Sequence, residues 1–263
     1  MTDVLLESLD GGVATLTLNR PDRFNALSDE LLERLYDALQ RHAASPSTRV
    51  LMLTGSGRAF CAGGDVEGMQ QGGEPSFEEA FDVLRRRMEI PRLLHEMPKP
   101  TIAMVNGVAA GAGFALAAAC DLRVGSESAR FTTAYARIGY SGDFGCSYFL
   151  TQLVGTAVAR ELFFTSEIVA AARAKEIGLL NALVPDGELA ERAGELAQRI
   201  AKGSATAHRY MKRNLNAAVS GTLGELLDME TFGQIRTRGT DEHRQAVAEF
   251  MQKRKGQEAP SSS

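Results

Sequence analysis

The chain contains no tryptophan, only three cysteines and only four histidines. Cys61, Cys120 and Cys146 are odd in number and their spacings differ from those of metal-binding pairs, so they read as reduced thiols. Around His42, His95, His208 and His243 there is no HExxH or His-x-His pattern, and no metal site is expected. No apolar run approaches the length that crosses a bilayer, and residues 1–12 lack the basic and apolar regions of a signal peptide. The expected location is therefore the cytoplasm. A formal net charge of -4 gives no electrostatic reason for nucleic acid or an anionic membrane to be the main partner.

At 263 residues, 44% of them hydrophobic and 24% charged, the chain can bury the core of one large soluble domain with a helical appendage. Residues 4–9 and 13–18 flank Asp10-Gly11-Gly12, a hairpin signal. Ser28 can cap a helix to about residue 43, with Asp29 and Glu30 in its first turn. Residues 50–54 read as a strand, followed by a glycine-rich loop over 55–65. Residues 76–97 read as a helix that Pro91 should kink or divide.

The rest of the chain is organised around residues 101–121. An apolar strand (101–105) meets the turn Asn106-Gly107 and then Gly111-Ala112-Gly113, the first turn of an alanine-rich helix ending near Cys120. The first amides of a helix have no internal partner and lie at the positive end of its dipole, so this terminus suits an oxygen that gains negative charge. The same small residues equally permit tight helix packing. Short strands are expected at 122–124 and 129–132, and helices at 145–154, 156–164 and 170–177.

From residue 188 onward helical periodicity dominates, with helices expected at 188–200, 205–218, 222–238 and 241–254. Thr222-Leu223-Gly224-Glu225 fits a capping box. Leu226, Met229, Phe232 and Ile235 share one face, which needs either the chain's own core or a neighbouring chain to pack on. The tail, 256–263, reads as disordered.

Three stretches together resemble the crotonase superfamily, the enoyl-CoA hydratase/isomerase family. They are Asn19-Arg20-Pro21 with Phe24-Asn25-Ala26-Leu27, then residues 59–65, then residues 100–121, and the likeness continues through 131–155 and 250–255. The resemblance implies an α/β fold: a crotonase-like spiral of ββα units over residues 1–200 and a C-terminal helical trimerisation region over 201–255, giving a trimer or a hexamer. It implies an acyl-CoA thioester substrate, with coenzyme A as part of that substrate and no separate cofactor. The thioester oxygen would rest between the amides of Gly64 and Ala112. Ala26, Ala62, Asp65, Val66 and Glu67 fall where the family wraps adenine and pantetheine, and Lys253 where it meets the CoA phosphates. A solvated lysine is the alternative for Lys253.

The departures from the family pattern bear on chemistry. Typical hydratases use two glutamates, at the positions held here by Ala115 and Tyr135. One carboxylate remains, Asp143, in Ser141-Gly142-Asp143-Phe144-Gly145 and near Tyr135, Ile138, Tyr140 and Phe144. Local sequence reads it as an N-cap for the helix that follows. Ala134-Tyr135-Ala136-Arg137-Ile138-Gly139 before Asp143 resembles instead the branch of dienoyl-CoA isomerases and the ring-epoxide isomerase of phenylacetate breakdown, in which an aspartate here moves protons. Burial among aromatics is expected to raise its pKa. A dehalogenase-like branch uses this aspartate as a nucleophile, but its tryptophan and histidine fall at Tyr135 and Met88.

Other residues invite simpler readings. Asp121 reads as a structural hydrogen-bond partner and Cys61 as a packing thiol without a histidine. Arg85-Arg86-Arg87 reads as a solvated helix face, and Met69, Phe77, Phe81 and Leu84 as acyl-pocket lining or ordinary core. The expectation is an acyl-CoA enzyme in which Asp143 shuttles a proton beneath a two-amide oxyanion hole, with Tyr135 lining the substrate site. A hydratase in which Asp143 and Tyr135 divide the work on water is the alternative, and a non-catalytic acyl-CoA-binding oligomer is another.

Overall fold

The computed structural model describes residues 3–65 and 75–258. The expected positions Val66, Glu67 and Met69 lie outside the described residues, as does the side chain of Lys253.

Pairs of strands followed by helices recur along the chain. β1 (Leu5–Asp10) and β2 (Val13–Leu18) form the expected hairpin, pairing Asp10 with Val13 across Gly11 and Gly12. Both turn glycines have positive φ, +54° and +85°, which a two-residue hairpin loop requires. α1 (Asp29–Ala44) follows, and Ser28 Oγ accepts the Leu31 N–H as an N-cap should. β3 (Val50–Gly55) and β4 (Ala59–Cys61) form the next pair, then β5 (Thr101–Val105) and β6 (Val108–Ala110), then β7 (Leu122–Ser126) and β8 (Arg130–Thr132).

The β1–β2 hairpin and the first strand of each later pair form a six-stranded sheet ordered β1-β2-β3-β5-β7-β10, where β10 is Ala182–Val184. The second strand of each later pair enters a four-stranded sheet ordered β4-β6-β8-β9, where β9 is Val169–Ala170. Apart from the β1–β2 and β8–β9 pairings, every neighbour is parallel. The chain thus steps from unit to unit in one direction, as a spiral of ββα units must.

Parallel strands covered on both faces are continuously apolar, and β3 is buried at all its positions. One face packs on α1 and the central helix α4 (Ala112–Ala119), whose side chains are all buried. The opposite face packs on Leu189, Ala193, Ala197 and Ala201 of the later helix Leu189–Ala201.

Between β4 and β5 lie α2 (Phe77–Arg87) and α3 (Glu89–Glu96). The expected division of this helix falls at Met88, not at Pro91. Pro91 has no N–H to donate to the carbonyl four residues earlier, and its ring crowds that carbonyl, so the ladder fails one turn upstream. Phe77 and Phe81 on α2 are 77% and 57% exposed, which removes the core alternative for them.

After β8 come α5 (Cys146–Thr165), interrupted by non-helical Gly155 where the sequence divides it, and α6 (Ala171–Glu176). The C-terminal helices are α7 (Leu189–Ala201), α8 (Ala205–Ala217), α9 (Leu223–Arg238) and α10 (Asp241–Glu258). The Thr222–Glu225 capping box forms in full. α10 runs through Glu258, so residues 256–258 are helical where a tail was expected to begin. Among the described residues no helix is long and apolar enough to cross a membrane.

The helical region is pinned to the spiral by a buried ion pair. Lys212 Nζ lies 2.8 Å from Asp121 Oδ2 and donates to the carbonyls of Leu94 and Lys99 at 2.9 and 3.1 Å. Asp121 Oδ2 also accepts the Thr101 amide at 2.7 Å, so Asp121 is the structural partner the sequence suggested.

Candidate active site

The glycine-rich loop after β4 and the start of α4 meet at one place. Leu27 N–H donates to Gly63 O at 2.8 Å and Ala62 N–H to Phe24 O at 2.9 Å, which lays residues 62–64 beside the turn preceding α1. Leu27 and Gly64 form a parallel bridge, whose ladder bonds use the groups flanking Gly64, so the Gly64 N–H points away from it. Gly63 has φ +94°, and a Cβ there would stand 2.7 Å from Ala110 O and 3.5 Å from the Ala112 amide nitrogen. The Gly63–Gly64 peptide is therefore held against the first residue of α4. Ala112 N–H opens that helix and has no intrahelical acceptor. The loop that carries one expected amide, Gly64, thus lies beside the helix start that carries the other, Ala112.

Glycine is required a second time at the base of this arrangement. A Cβ on Gly113 would overlap the Cys61 carbonyl oxygen and come within 2.7 Å of Cys61 Sγ. Cys61 itself is fully buried, its thiol donates to Asn25 O at 3.1 Å, and burial pushes its pKa up to about 12. It is a packing thiol. At the other end of α4, the buried Arg123 guanidinium donates to Cys120 O at 2.6 Å and Ala118 O at 3.4 Å, satisfying carbonyls that the helix leaves free.

Asp143 approaches the same helix start through Tyr135. Tyr135 begins a short 3-10 turn, Tyr135–Ile138, after Ala134 in the left-handed region. Its ring stacks on Phe163 at 5.8 Å between centroids, and its edge lies where a Cβ on Gly111 would be 3.8 Å away. Its hydroxyl donates to Asp143 Oδ1 at 2.9 Å. Burial raises the Asp143 pKa above the ordinary carboxylate value, against the opposing pull of the Tyr135 hydrogen bond. Tyr135, 4% exposed, is itself pushed strongly upward, chiefly by burial, with the neighbouring Asp143 carboxyl adding to it, so it stays a neutral donor.

The N-cap reading of Asp143 does not hold. α5 is capped by Gly145 with no side-chain bond, and it is the main-chain oxygen of Asp143 that accepts the Cys146 N–H, at 3.0 Å. Phe144 and Gly145 both take left-handed conformations, with φ +49° and +72°, and this double turn frees the carboxyl to face Tyr135. Of the apolar and aromatic surroundings expected for Asp143, Tyr135 and Phe144 are buried, whereas Ile138 and Tyr140 are each 57% exposed. Ala115, at one of the two glutamate positions, is wholly buried in α4.

The enoyl-CoA hydratase/isomerase family model matches residues 8–258. This chain belongs to that family. It is therefore an enzyme family member with the crotonase fold, as the resemblance implied. It is 34% identical over 98% of both chains to 1,2-epoxyphenylacetyl-CoA isomerase of Escherichia coli. It is also 32% identical over 97% of both chains to short-chain-enoyl-CoA hydratase of Clostridium acetobutylicum. Among solved structures, a putative enoyl-CoA hydratase from Streptomyces coelicolor superposes with a TM-score of 0.89 at 36% identity, covering 95% of this chain and 92% of that one.

The remaining expected positions are distributed around the two amides. Ala26 is nearly buried and Ala62 exposed, on the two loops that the Leu27 and Ala62 amides tie together. Asp65 pairs with Arg20 at 2.9 Å, a contact that sequence reasoning did not anticipate. Two grooves among the described residues are not lined by Gly64, Ala112, Tyr135 or Asp143. One of about 450 Å³ lies between α1 and α2–α3, and one of about 420 Å³ joins Met88 and His95 to Gly145, Tyr148 and Phe149. Arg85 and Arg87 are paired with Glu89 and Asp29, in keeping with a solvated face.

Proposed function

We propose that this family member isomerises an acyl-CoA thioester, with Asp143 as the proton-transferring group and the Gly64 and Ala112 amides as the oxyanion hole. The observation that carries the reading is the Tyr135–Asp143 hydrogen bond at 2.9 Å, in a buried setting that raises the carboxyl pKa and lies against Gly111 at the start of α4. A base poised above the ordinary carboxylate range is closer to the pH at which it must both accept and return a proton.

Asp143 carboxylate takes a proton from one carbon of the acyl group. The electron pair of that C–H bond moves toward the thioester carbonyl, whose oxygen becomes an enolate held by two amides. Asp143 then returns the proton to a different carbon, and the electron pair closes a displaced double bond. No atom is gained or lost, and neither a metal nor a redox cofactor enters. Ala26, Ala62, Asp65, Val66, Glu67 and Lys253 are the positions proposed to meet the CoA moiety.

Hydration is the second reading, favoured by the Tyr135 hydroxyl beside Asp143 and by the hydratase names of several relatives. Incubation in deuterium oxide with enoyl-, dienoyl- and arylacetyl-CoA thioesters separates the two by mass spectrometry. A shifted double bond supports isomerisation, a gain of one water supports hydration, and binding without change to any thioester favours the non-catalytic alternative.

Self-association as a trimer or hexamer is proposed with this function. On α9, Leu226 is nearly buried, but Leu223, Leu227, Phe232 and Ile235 are 76%, 53%, 53% and 62% exposed. Large apolar side chains left exposed around one helix favour neighbouring chains as their cover. Native mass measurement tests this.

A further inference from the structure

We infer that Arg20 is a positioning residue for the oxyanion hole, acting through Asp65 and Ala26. This rests on the reading of the Gly64 amide given above.

The Arg20 guanidinium reaches two loops at once. Nη1 donates to Ala26 O at 2.5 Å, and Nη2 donates to Asp65 Oδ2 at 2.9 Å. Asp65 is bonded directly to Gly64, so this second contact holds the end of the peptide segment that carries the hole's N–H. The Arg20 side chain is 20% exposed and that of Asp65 19%, which shields the pair from much of the solvent that weakens surface ion pairs.

The main chain of Arg20 is fixed as firmly as its side chain. Its N–H donates to Asn25 Oδ1 at 2.9 Å, and its carbonyl accepts the Asn25 N–H at 2.9 Å. Asn25, wholly buried, spends its Nδ2 on Ser56 O at 2.9 Å and Ala59 O at 2.8 Å, at the start of β4. Phe24 and Asn25 lie in the left-handed region, with φ +50° and +58°, a conformation that persists only where the surroundings determine it. One planar fork thus joins a constrained turn to the loop ending in Gly64.

A lysine cannot reproduce that fork, because it offers one compact charge where arginine offers two parallel donors in a fixed plane. Displacement of a positioned donor by about 1 Å can cost on the order of a hundredfold in rate. Since the hole is made of main-chain groups, Arg20 is a side-chain handle on it.

The test uses the full chain with a saturated acyl-CoA carrying ¹³C at the thioester carbonyl, read by infrared difference spectroscopy, together with steady-state kinetics on whichever thioester turns over. In the unsubstituted protein the carbonyl band moves to lower frequency on binding. In Arg20→Lys most of that shift disappears and kcat falls by about tenfold or more, with a smaller change in KM. Asp65→Asn, which keeps a hydrogen bond but loses the ion pair, gives an effect of the same sign and lesser size, and carries the test where Arg20→Lys folds poorly. A folded Arg20→Lys with the full band shift and unchanged kcat overturns the inference. So does a weakened acyl-CoA affinity with shift and kcat intact, which assigns Arg20 to CoA binding alone. Absence of any shift in the unsubstituted protein removes the oxyanion hole itself, and the inference with it.

Discussion

The Tyr135 hydroxyl and the Asp143 carboxyl form a hydrogen-bonded pair, 2.9 Å from oxygen to Oδ1, at the N-terminal edge of α5. Tyr135 thus serves as a hydrogen-bond donor to the one carboxylate expected to act on the substrate. Burial keeps the phenol neutral and raises the Asp143 pKa above the ordinary carboxylate value, so the phenol serves only as a donor to the carboxyl.

Removal of that hydroxyl has a definite sign. The hydrogen bond favours the ionised carboxyl, so Tyr135→Phe raises the Asp143 pKa further above its ordinary value. The base form is then populated only at higher pH, and the acidic limb of the kcat/KM profile moves upward. A pH–rate profile of the variant checks this, and a limb that stays in place or moves down contradicts it.

Gly113→Ala tests the close approach of α4 to β4. The added Cβ would overlap the Cys61 carbonyl oxygen and crowd Sγ at 2.7 Å, and neither belongs to a flexible side-chain end. Overpacking of this kind costs about 1–3 kcal/mol. Denaturant unfolding is expected to show that loss, and turnover falls with it because Ala112 moves with the helix.

Lys212→Met leaves Asp121 without its cation and the carbonyls of Leu94 and Lys99 without a donor. Asp121, its side chain 24% exposed, keeps the Thr101 amide bond, so the expected cost is that of polar groups left without a partner, about 1–3 kcal/mol. Thermal unfolding reads this as a marked fall in midpoint. Little change would mean that the ion pair is already open to solvent.

The three thiols are inert in the folded chain. Cys61, Cys120 and Cys146 are all buried, and burial pushes each up to about 12, so thiolate is scarce at pH 8. A colorimetric disulfide reagent is expected to find no fast-reacting thiol in the native protein and three per chain after unfolding.

Local chemistry made part of this legible from sequence. Ser28 and the Thr222–Glu225 box cap their helices because capping depends on neighbours in the chain, and Gly155 interrupts α5 because it alone there tolerates φ +76°. β4, which falls inside the stretch read as a loop, and β6, β9 and β10, of two or three residues each, were not, since pairing with distant strands creates them and no periodicity survives at that length. The helix over 76–97 is divided as Pro91 led one to expect, and the break falls at Met88 because the missing N–H and the crowded carbonyl act one turn upstream. Asp143 looked like an N-cap because its sequence permits one. The left-handed turns at Phe144 and Gly145 decide otherwise. The Arg20–Asp65 pair spans 45 positions, beyond the reach of any local pattern.

The central claim is that Asp143 moves the proton while main-chain amides hold the oxygen. Its most direct test is Asp143→Asn, assayed for turnover and for acyl-CoA binding in the same preparation. The expected result is a rate lower by about 10²–10⁴-fold with acyl-CoA affinity nearly unchanged. A variant that turns over at the normal rate contradicts the claim and returns Asp143 to a structural role beside Tyr135.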